Sequence, residues 1–141
     1  MDKCSAQKLL KVSKTKITDA RSKILDTLLD CKTPVSAGQL HSMLPESAQT
    51  DLATVYRTLK TLCDKGIARA VSIDGDTVYY EKSCVHNPLH AHFFCESCKK
   101  VECLHPFGFD ESAAFFNMAE GNAVKSVELL LKGRCRECER S

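Results

Sequence analysis

The stretch DLATVYRTLKTLCDK, residues 51–65, has the pattern of an amphipathic helix and decides the fold of the N-terminal half. Its apolar residues recur at helical spacing and share one face: Leu52, Val55, Leu59 and Leu62. Asp51 is a suitable N-cap, and Gly66 follows the last turn, where a left-handed residue often ends a helix. The sequence therefore predicts a helix with one buried face and one face open to a partner.

Two more helices are predicted before this one. Residues 18–30 carry a single apolar stripe, and Thr18 or Asp19 can cap their start. Ser36 with Gln39 three residues later predicts a capping box that opens a second helix, which Pro45 ends. The predicted apolar positions of that second helix are Ala37, Leu40, Met43 and Leu44.

A hairpin is predicted after the third helix. The β-type runs 70–73 and 77–80 flank Asp-Gly-Asp at 74–76, and Asp-Gly between such runs favours a tight turn. Three short helices followed by a hairpin are typical of a winged helix-turn-helix. In that layout the third helix enters the major groove of DNA.

The charge of the chain is unevenly distributed. The net charge is only +2, yet residues 1–23 carry seven Lys or Arg side chains against two aspartates. Residues 84–141 carry seven basic and eight acidic side chains. The positive end suits either contact with DNA phosphates or a solvated basic arm.

Targeting segments are not apparent in the sequence. The first 20 residues contain no apolar core of useful length for a signal peptide, and no run reaches the roughly 18 apolar residues of a membrane helix. We therefore expect a cytoplasmic protein that does not contact a membrane.

Nine cysteines occur in the 141 residues, and five of them lie between residue 95 and the end. In a reducing cytosol, clustered cysteines indicate metal or redox chemistry before structural disulfides. Two CxxC pairs are separated by 36 residues: Cys95 with Cys98, and Cys135 with Cys138. Four thiolates satisfy tetrahedral zinc, so the pattern predicts one structural zinc ion per monomer. A dithiol redox centre, for which one pair is enough, is the alternative.

The C-terminal half is predicted to combine short strands with one helix. Phe93-Phe94 and Val101 are strand positions that flank the first CxxC pair, residues 110–120 suit a helix, and Val124–Leu131 suits a strand.

Three histidines stand within seven residues: His86, His90 and His92. His90 and His92 are two residues apart, which places both imidazoles on one side of a short strand. This arrangement suits the joint binding of one cation.

Three motifs together resemble the ferric uptake regulator family: ATVYRTL at 53–59, HAHFFCESC at 90–98 and CRECE at 135–139. The resemblance runs from about Thr18 to Cys138. It implies a homodimeric, metal-activated repressor of the α+β class, with an N-terminal winged helix and a C-terminal α/β dimerisation domain. The implied division is a DNA-binding domain at 1–83, a hinge with metal ligands at 84–92, and a dimerisation domain with the structural zinc at 93–141.

Within that family the chain is most similar to the zinc-sensing branch. Iron-sensing members show a His-His-Asp-His run where this chain has Leu-His-Ala-His at 89–92, and peroxide-sensing members show an aspartate at the place of Cys103. Zinc sensors have a cysteine upstream of the histidine pair, as Cys84 is here. The resemblance thus implies a regulatory site made of Cys84, His90, His92 and Cys103. Alternatives to Cys103 are Glu102, His105 and His86.

The regulatory metal follows from the chemistry of these donors. Thiolate and imidazole ligands favour zinc over iron or manganese, which stay as alternatives. A metal that joins Cys84 to the later ligands would fix the angle between the two winged helices of a dimer.

The resemblance also implies that the third helix reads DNA. Arg57 is suited to bidentate contact with guanine, Tyr56 to a phosphate or a thymine methyl group, and Thr54 to a phosphate near the helix N-terminus. Alternatively, Tyr56 packs against the helix bundle and Arg57 is merely solvated. A symmetric dimer implies double-stranded DNA with an inverted-repeat operator.

Other functions fit parts of the pattern. The same fold could serve an iron- or peroxide-responsive regulator. It could also serve a redox sensor, in which Cys84 and Cys103 are oxidised and release the metal. A zinc hydrolase or a thiol oxidoreductase is the rival of another class, but a catalytic zinc keeps an open position that four ligands would fill. We therefore expect a regulator and not an enzyme. Cys4, Cys31 and Cys63 receive no assigned role.

Overall fold

The computed structural model describes residues 5–83, 87, 89–124 and 127–141, without the side chain of Phe109. The chain forms two compact units, Met1–His86 and Asn87–Ser141. The division falls within the segment 84–92 that the sequence analysis assigns to the hinge, although the boundaries at 83 and 93 stay predictions. Among the described residues, no helix combines the length and the apolar content needed to cross a membrane.

The first unit contains four α-helices and a short 3-10 helix at Glu46–Ala48. The α-helices are α1 (Ala6–Val12), α2 (Asp19–Asp30), α3 (Ala37–Met43) and α4 (Leu52–Asp64). The last three are the predicted helices of the winged helix-turn-helix. The first, α1, was not predicted, because only Ala6 and Leu10 of its seven residues are buried and the apolar period is too short to detect.

Side-chain caps fix the starts of the predicted helices. The Thr18 hydroxyl accepts a hydrogen bond from the Arg21 amide at 3.1 Å, so Thr18 rather than Asp19 caps α2. At the start of α3 the Ser36 hydroxyl accepts from the Gln39 amide at 3.2 Å, and the Gln39 side chain accepts from the Ser36 amide at 2.9 Å. The predicted capping box is therefore confirmed.

A three-stranded antiparallel sheet completes the first unit. Its strands are β1 (Val35–Ser36), β2 (Ala68–Asp74) and β3 (Thr77–Lys82), in the order β1-β3-β2. Strands β2 and β3 are the predicted hairpin, and Gly75 in its turn has a φ of +58°. The hairpin is the wing of a winged helix.

The core of the first unit lies between its helices. Eight side chains in it have no solvent-accessible surface: Leu10, Ile24, Leu25, Leu28, Leu40, Val55, Leu59 and Leu62. Two predicted core residues are wrong, since Met43 is 49% exposed and Leu52 is 40% exposed. Both stand at helix ends, where fewer neighbours cover the apolar face.

The second unit is built on another three-stranded sheet. Its elements are β4 (His90–Cys95), β5 (Val101–Pro106), α5 (Phe109–Asn117), β6 (Leu130–Gly133) and α6 (Arg136–Glu139). The strand order is β5-β4-β6, with β4 antiparallel to β5 and parallel to β6. The fold class is thus the predicted α+β arrangement of a winged helix and a small α/β domain.

Two element boundaries in the second unit differ from the prediction. Helix α5 ends at Asn117 instead of residue 120. Within the predicted strand at 124–131, where residues 125 and 126 lie outside the described part, β6 begins at Leu130. Its pairing with β4 runs from His92 to Cys95, and the His92 amide also donates to the Leu129 carbonyl at 3.0 Å.

Removing a side chain from the helical core should destabilise the protein. We expect Leu59→Ala to lower the free energy of unfolding by about 2–5 kcal/mol, because Leu59 is completely buried and its loss leaves a cavity. Met43→Ala, at a half-exposed position, is the control and should change it by less than about 0.5 kcal/mol. Urea unfolding followed by circular dichroism measures both; equal effects of the two variants would contradict this core.

Candidate metal centres and DNA-reading helix

The two CxxC pairs meet because β4 and β6 run parallel. Cys95 ends β4 and lies opposite Gly133, which ends β6, so the chain leaves both strands at the same edge of the sheet. Cys98 follows in the turn after β4. Cys135 is the N-cap of α6, and Cys138 lies within that helix. Two segments far apart in sequence therefore bring four thiols together, which we call the four-cysteine cluster.

The spacing of the sulfurs in the four-cysteine cluster fits a tetrahedral metal ion. All four Sγ atoms lie within 4.8 Å of one another. The Sγ atoms of Cys98 and Cys135 are 3.8 Å apart. A zinc ion with bonds of about 2.3 Å to four sulfurs requires about 3.8 Å between neighbouring sulfurs, whereas a disulfide requires about 2.05 Å. The thiols are thus arranged for a cation rather than for cross-linking.

Backbone amides prepare one of these sulfurs for metal binding. The amide of Cys98 donates to Cys95 Sγ at 3.5 Å, and the amide of Cys135 donates to it at 3.3 Å. These bonds, that from Cys98 foremost, lower the pKa of Cys95 to about 6. Hydrogen bonds to the sulfurs of Cys135 and Cys95 raise the pKa of Cys138 to about 12. Without a cation the cluster holds a thiolate at Cys95 and a proton at Cys138.

Basic side chains lie near the four-cysteine cluster, but Lys100 and Arg134 are each paired with a carboxylate. Lys100 Nζ lies 2.8 Å from a Glu102 oxygen and 4.0 Å from a Glu137 oxygen. Arg134 lies 3.8 Å from Glu139 and also donates to the Cys138 carbonyl at 2.9 Å. The charge that offsets four thiolates would therefore have to come mainly from a cation bound by them.

A second cluster of donors lies on the same sheet. His90 and His92 project from the same face of β4, with ring centroids 4.5 Å apart. Cys103 on β5 is the register partner of His92. The ligand atoms of these three residues lie within 4.8 Å of one another, and we call the set the histidine–cysteine cluster. Both imidazoles are buried, whereas Cys103 is exposed.

The structure separates Cys103 from its alternatives. Residues 102 and 103 point to opposite faces of β5 because side chains alternate along a strand. Glu102 points away from the histidines and pairs with Lys100 at 2.8 Å. His105 lies two residues further along β5, where the pairing with β4 shifts register, and it is exposed. The predicted ligands Cys84 and His86 lie outside the described residues.

The exposed face of α4 carries the predicted DNA contacts. Tyr56 is 52% exposed, which leaves part of its side chain accessible to a partner. Arg57 is also exposed, and its Nη2 donates to the Thr54 hydroxyl at 3.1 Å. Thr54 is partly buried and contacts Arg57, a relation that the sequence analysis missed. These three residues stay predictions as DNA ligands.

A groove beside Arg57 contains two cations that the sequence analysis did not single out. Lys16 and Arg21 line it together with Thr54 and Arg57. Arg21 is held by a hydrogen bond from its Nη1 to the Lys16 carbonyl at 3.0 Å. The excess of basic residues at 1–23 was the available signal, but charge alone did not distinguish these two from the solvated lysines.

A winged helix with an exposed basic face, in a chain that also gathers four thiols and a histidine–cysteine cluster, defines a metal-responsive, DNA-binding transcription regulator. The model of the ferric uptake regulator family matches residues 12–132, which is most of the chain. The protein belongs to the ferric uptake regulator family, and the resemblance seen in the sequence is confirmed.

Individual relatives cover nearly the whole chain. The ferric uptake regulation protein of Synechococcus elongatus is 29% identical over 131 residues, which are 89% of this chain and 87% of that protein. The peroxide-responsive repressor PerR of Staphylococcus saprophyticus is 26% identical over 125 residues, 88% of this chain and 82% of that protein. A crystal structure of the Vibrio cholerae ferric uptake regulator gives a TM-score of 0.70 at 27% identity, covering 92% of this chain and 98% of that one.

Loss of one sulfur should empty the four-cysteine cluster. We expect Cys135→Ser to lower the zinc content by one ion per monomer and to destabilise the second unit, because three sulfurs remain where four are needed. Metal analysis by mass spectrometry and thermal unfolding provide the measurements. Cys31→Ser, which alters a partly buried thiol in the other unit, is the control and should keep the metal. A Cys135→Ser protein with its full zinc content would exclude this cluster.

Metal binding to the four-cysteine cluster should release protons in a pH-dependent number. Because the pKa of Cys95 is lowered to about 6, this thiol is already ionised at pH 7.5 and contributes no proton there. Below pH 6 it is protonated, so zinc binding at pH 5 should release about one proton more than at pH 7.5. Calorimetry in buffers of different ionisation enthalpy counts these protons. An equal count at both pH values would contradict the amide-stabilised thiolate.

Proposed function

We propose that this chain is a zinc-responsive transcriptional repressor that binds an inverted-repeat operator as a homodimer. The observation that carries the proposal is the histidine–cysteine cluster, two buried imidazoles beside a thiol, within a family of metal-responsive regulators. As a regulator of DNA with reduced thiols, it would act in the cytoplasm and not as an enzyme.

The donor set supports zinc as the regulatory metal. Sulfur together with imidazole is a donor combination that suits zinc. His90, His92 and Cys103 supply three donors, and Cys84 is the proposed fourth on the grounds of its place in the sequence. A zinc ion bound there would supply positive charge and tetrahedral direction. The four-cysteine cluster is proposed as the separate structural site, with one zinc per monomer and no position open to a substrate.

Regulation follows from the place of Cys84 in the hinge segment 84–92. With Cys84 as a ligand, metal binding would restrict that segment to one conformation. Only a restricted hinge would hold the two winged helices of a dimer at the spacing of two half-sites. The free energy by which metal favours DNA binding is set by how much more tightly the metal binds the restricted state than the free state.

The second unit offers apolar surface for a partner chain. Phe116 is 51% exposed, Met118 is 74% exposed and Leu131 is 53% exposed, all within this small unit. Exposed apolar side chains at this density indicate an interface, and a second copy of the chain is the proposed occupant.

A second candidate function is favoured by the exposure of Cys103. A peroxide-responsive repressor is among the relatives, and an exposed thiol beside a metal site can be oxidised. In that case peroxide, rather than the supply of zinc, would end DNA binding.

One experiment separates these functions. An operator is selected from random duplex DNA with the zinc-loaded protein, and affinity is then measured by fluorescence anisotropy across a series of free zinc, iron(II) and manganese(II) concentrations. We expect zinc to restore binding at the lowest free concentration. A low dose of peroxide that abolishes binding in excess zinc would favour the peroxide sensor, and binding that needs no second metal would refute both.

His90→Ala tests the histidine–cysteine cluster itself. We expect this variant to keep one zinc ion per monomer in the four-cysteine cluster but to lose metal-dependent DNA binding. His105→Ala, on the neighbouring strand and exposed, is the matched control and should behave as the unmodified protein. Metal-dependent binding that survives in His90→Ala would exclude the proposed site.

Arg57→Ala tests the DNA-reading helix. We expect a loss of about 1–3 kcal/mol in specific binding, because a guanidinium that contacts guanine is removed. Lys60→Ala is the control, because it removes another exposed positive charge from α4. Equal losses in both variants would mean that α4 contributes charge but not sequence recognition.

A further inference from the structure

His41 lies far in sequence from the other histidines and has no part in the metal clusters described above. It is in the last turn of α3, and its Nε2 lies 2.7 Å from the carbonyl oxygen of Thr50. Thr50 directly precedes Asp51, the N-cap of α4. A single side chain of α3 therefore holds the residue from which the DNA-reading helix begins.

Hydrogen bonds continue from this point to Arg57. Asp51 Oδ1 accepts from the Thr54 amide at 2.8 Å. The Thr54 hydroxyl also bonds to the Asp51 carboxylate, and these two bonds lower the pKa of Asp51. The same hydroxyl accepts from Arg57 Nη2 at 3.1 Å. The path from the imidazole to the guanidinium thus runs through one carbonyl, one carboxylate and one hydroxyl.

We propose that His41 is a positioning residue for DNA recognition, which sets the orientation of Arg57 through Thr50, Asp51 and Thr54. The inference rests on the proposed function of Arg57 as a reader of DNA bases. His41 donates through Nε2–H, which both the imidazolium and one neutral tautomer provide.

The physical benefit is a lower entropic cost of recognition. An exposed arginine samples many rotamers, and each one lost on binding opposes association. The bond to Thr54 restricts Arg57 before it meets DNA, but only if Thr54 and Asp51 are themselves fixed. His41 fixes the start of the segment that carries Asp51 and Thr54, because its bond to the Thr50 carbonyl joins α3 to a residue nine positions later in the chain. The imidazole therefore acts on the reading side chain without touching it.

The test uses the full-length, zinc-loaded protein and the operator selected as above. His41→Phe keeps a ring but removes the donor, and His41→Gln restores an N–H donor. Affinity is measured on the operator and on duplexes in which each guanine of a half-site is replaced in turn. We expect His41→Phe to weaken operator binding about 3- to 10-fold and to reduce discrimination at one guanine, with substantial recovery in His41→Gln.

A double-mutant cycle separates positioning from a loss of stability. In the Arg57→Ala background, His41→Phe should have little further effect, because the side chain that it positions is absent. Zinc content and the midpoint of thermal unfolding are recorded for every variant. The same loss with and without Arg57, or a loss that His41→Gln does not recover, would overturn the inference.

The outcomes also distinguish the inference from the function beneath it. If Arg57→Ala weakens operator binding while His41→Phe does not, the positioning role is wrong and the DNA-reading role of α4 stands. If Arg57→Ala leaves operator binding and discrimination unchanged, both are wrong.

Discussion

The convergence of four sulfurs at the end of β4 and β6 is the constraint on which the second unit depends. Among the described residues of this unit, the buried apolar or sulfur-bearing side chains are Phe94, Cys95 and Cys135. A core this small cannot offset the conformational entropy of ordering a sheet and two helices. The parallel pairing of β4 with β6 is also non-local, so the chain must close a long loop before these two strands meet. With the proposed zinc in the four-cysteine cluster, metal binding at the end of both strands would supply the missing free energy and would couple folding of this unit to metal loading.

The first unit, in contrast, is stabilised by a large apolar core and by local helix signals. This difference explains which elements the sequence could predict. Its helices carry local signals, namely the caps Thr18, Ser36 and Asp51 and apolar faces at helical spacing, so three helices and the hairpin were found from the sequence. The boundaries that failed depend on remote partners. Helix α1 buries only Ala6 and Leu10 in the core, and β6 pairs with the distant strand β4. Neither of these contacts can be recognised from the neighbouring residues in the sequence.

The candidate sites divide in the same way. The four-cysteine cluster was predictable because each half arrives as a CxxC pair, and two such pairs leave little freedom in how they combine. The choice of Cys103 over Glu102 needed the observed strand, because one residue along β5 reverses the direction of the side chain. The role of Thr54 was missed for another reason: a hydroxyl on an exposed helix turn is equally suited to a phosphate or to a neighbouring arginine. The structure shows that the Thr54 hydroxyl accepts a hydrogen bond from Arg57 Nη2 at 3.1 Å.

The two candidate metal sites on the sheet of the second unit differ in their donors and in their exposure. In the four-cysteine cluster, two of the sulfurs belong to buried residues, so the proposed structural ion would be shielded from solvent. The histidine–cysteine cluster has imidazoles in place of two thiolates and an exposed sulfur, so the proposed regulatory ion would meet fewer anionic donors and would exchange more readily. A sensor must release its metal when the supply falls, whereas a structural ion must not. In the proposed function, permanent occupancy of the first cluster would allow the second to lose its metal without unfolding the sheet that carries both. Sensing would then require both clusters, although only one of them would respond.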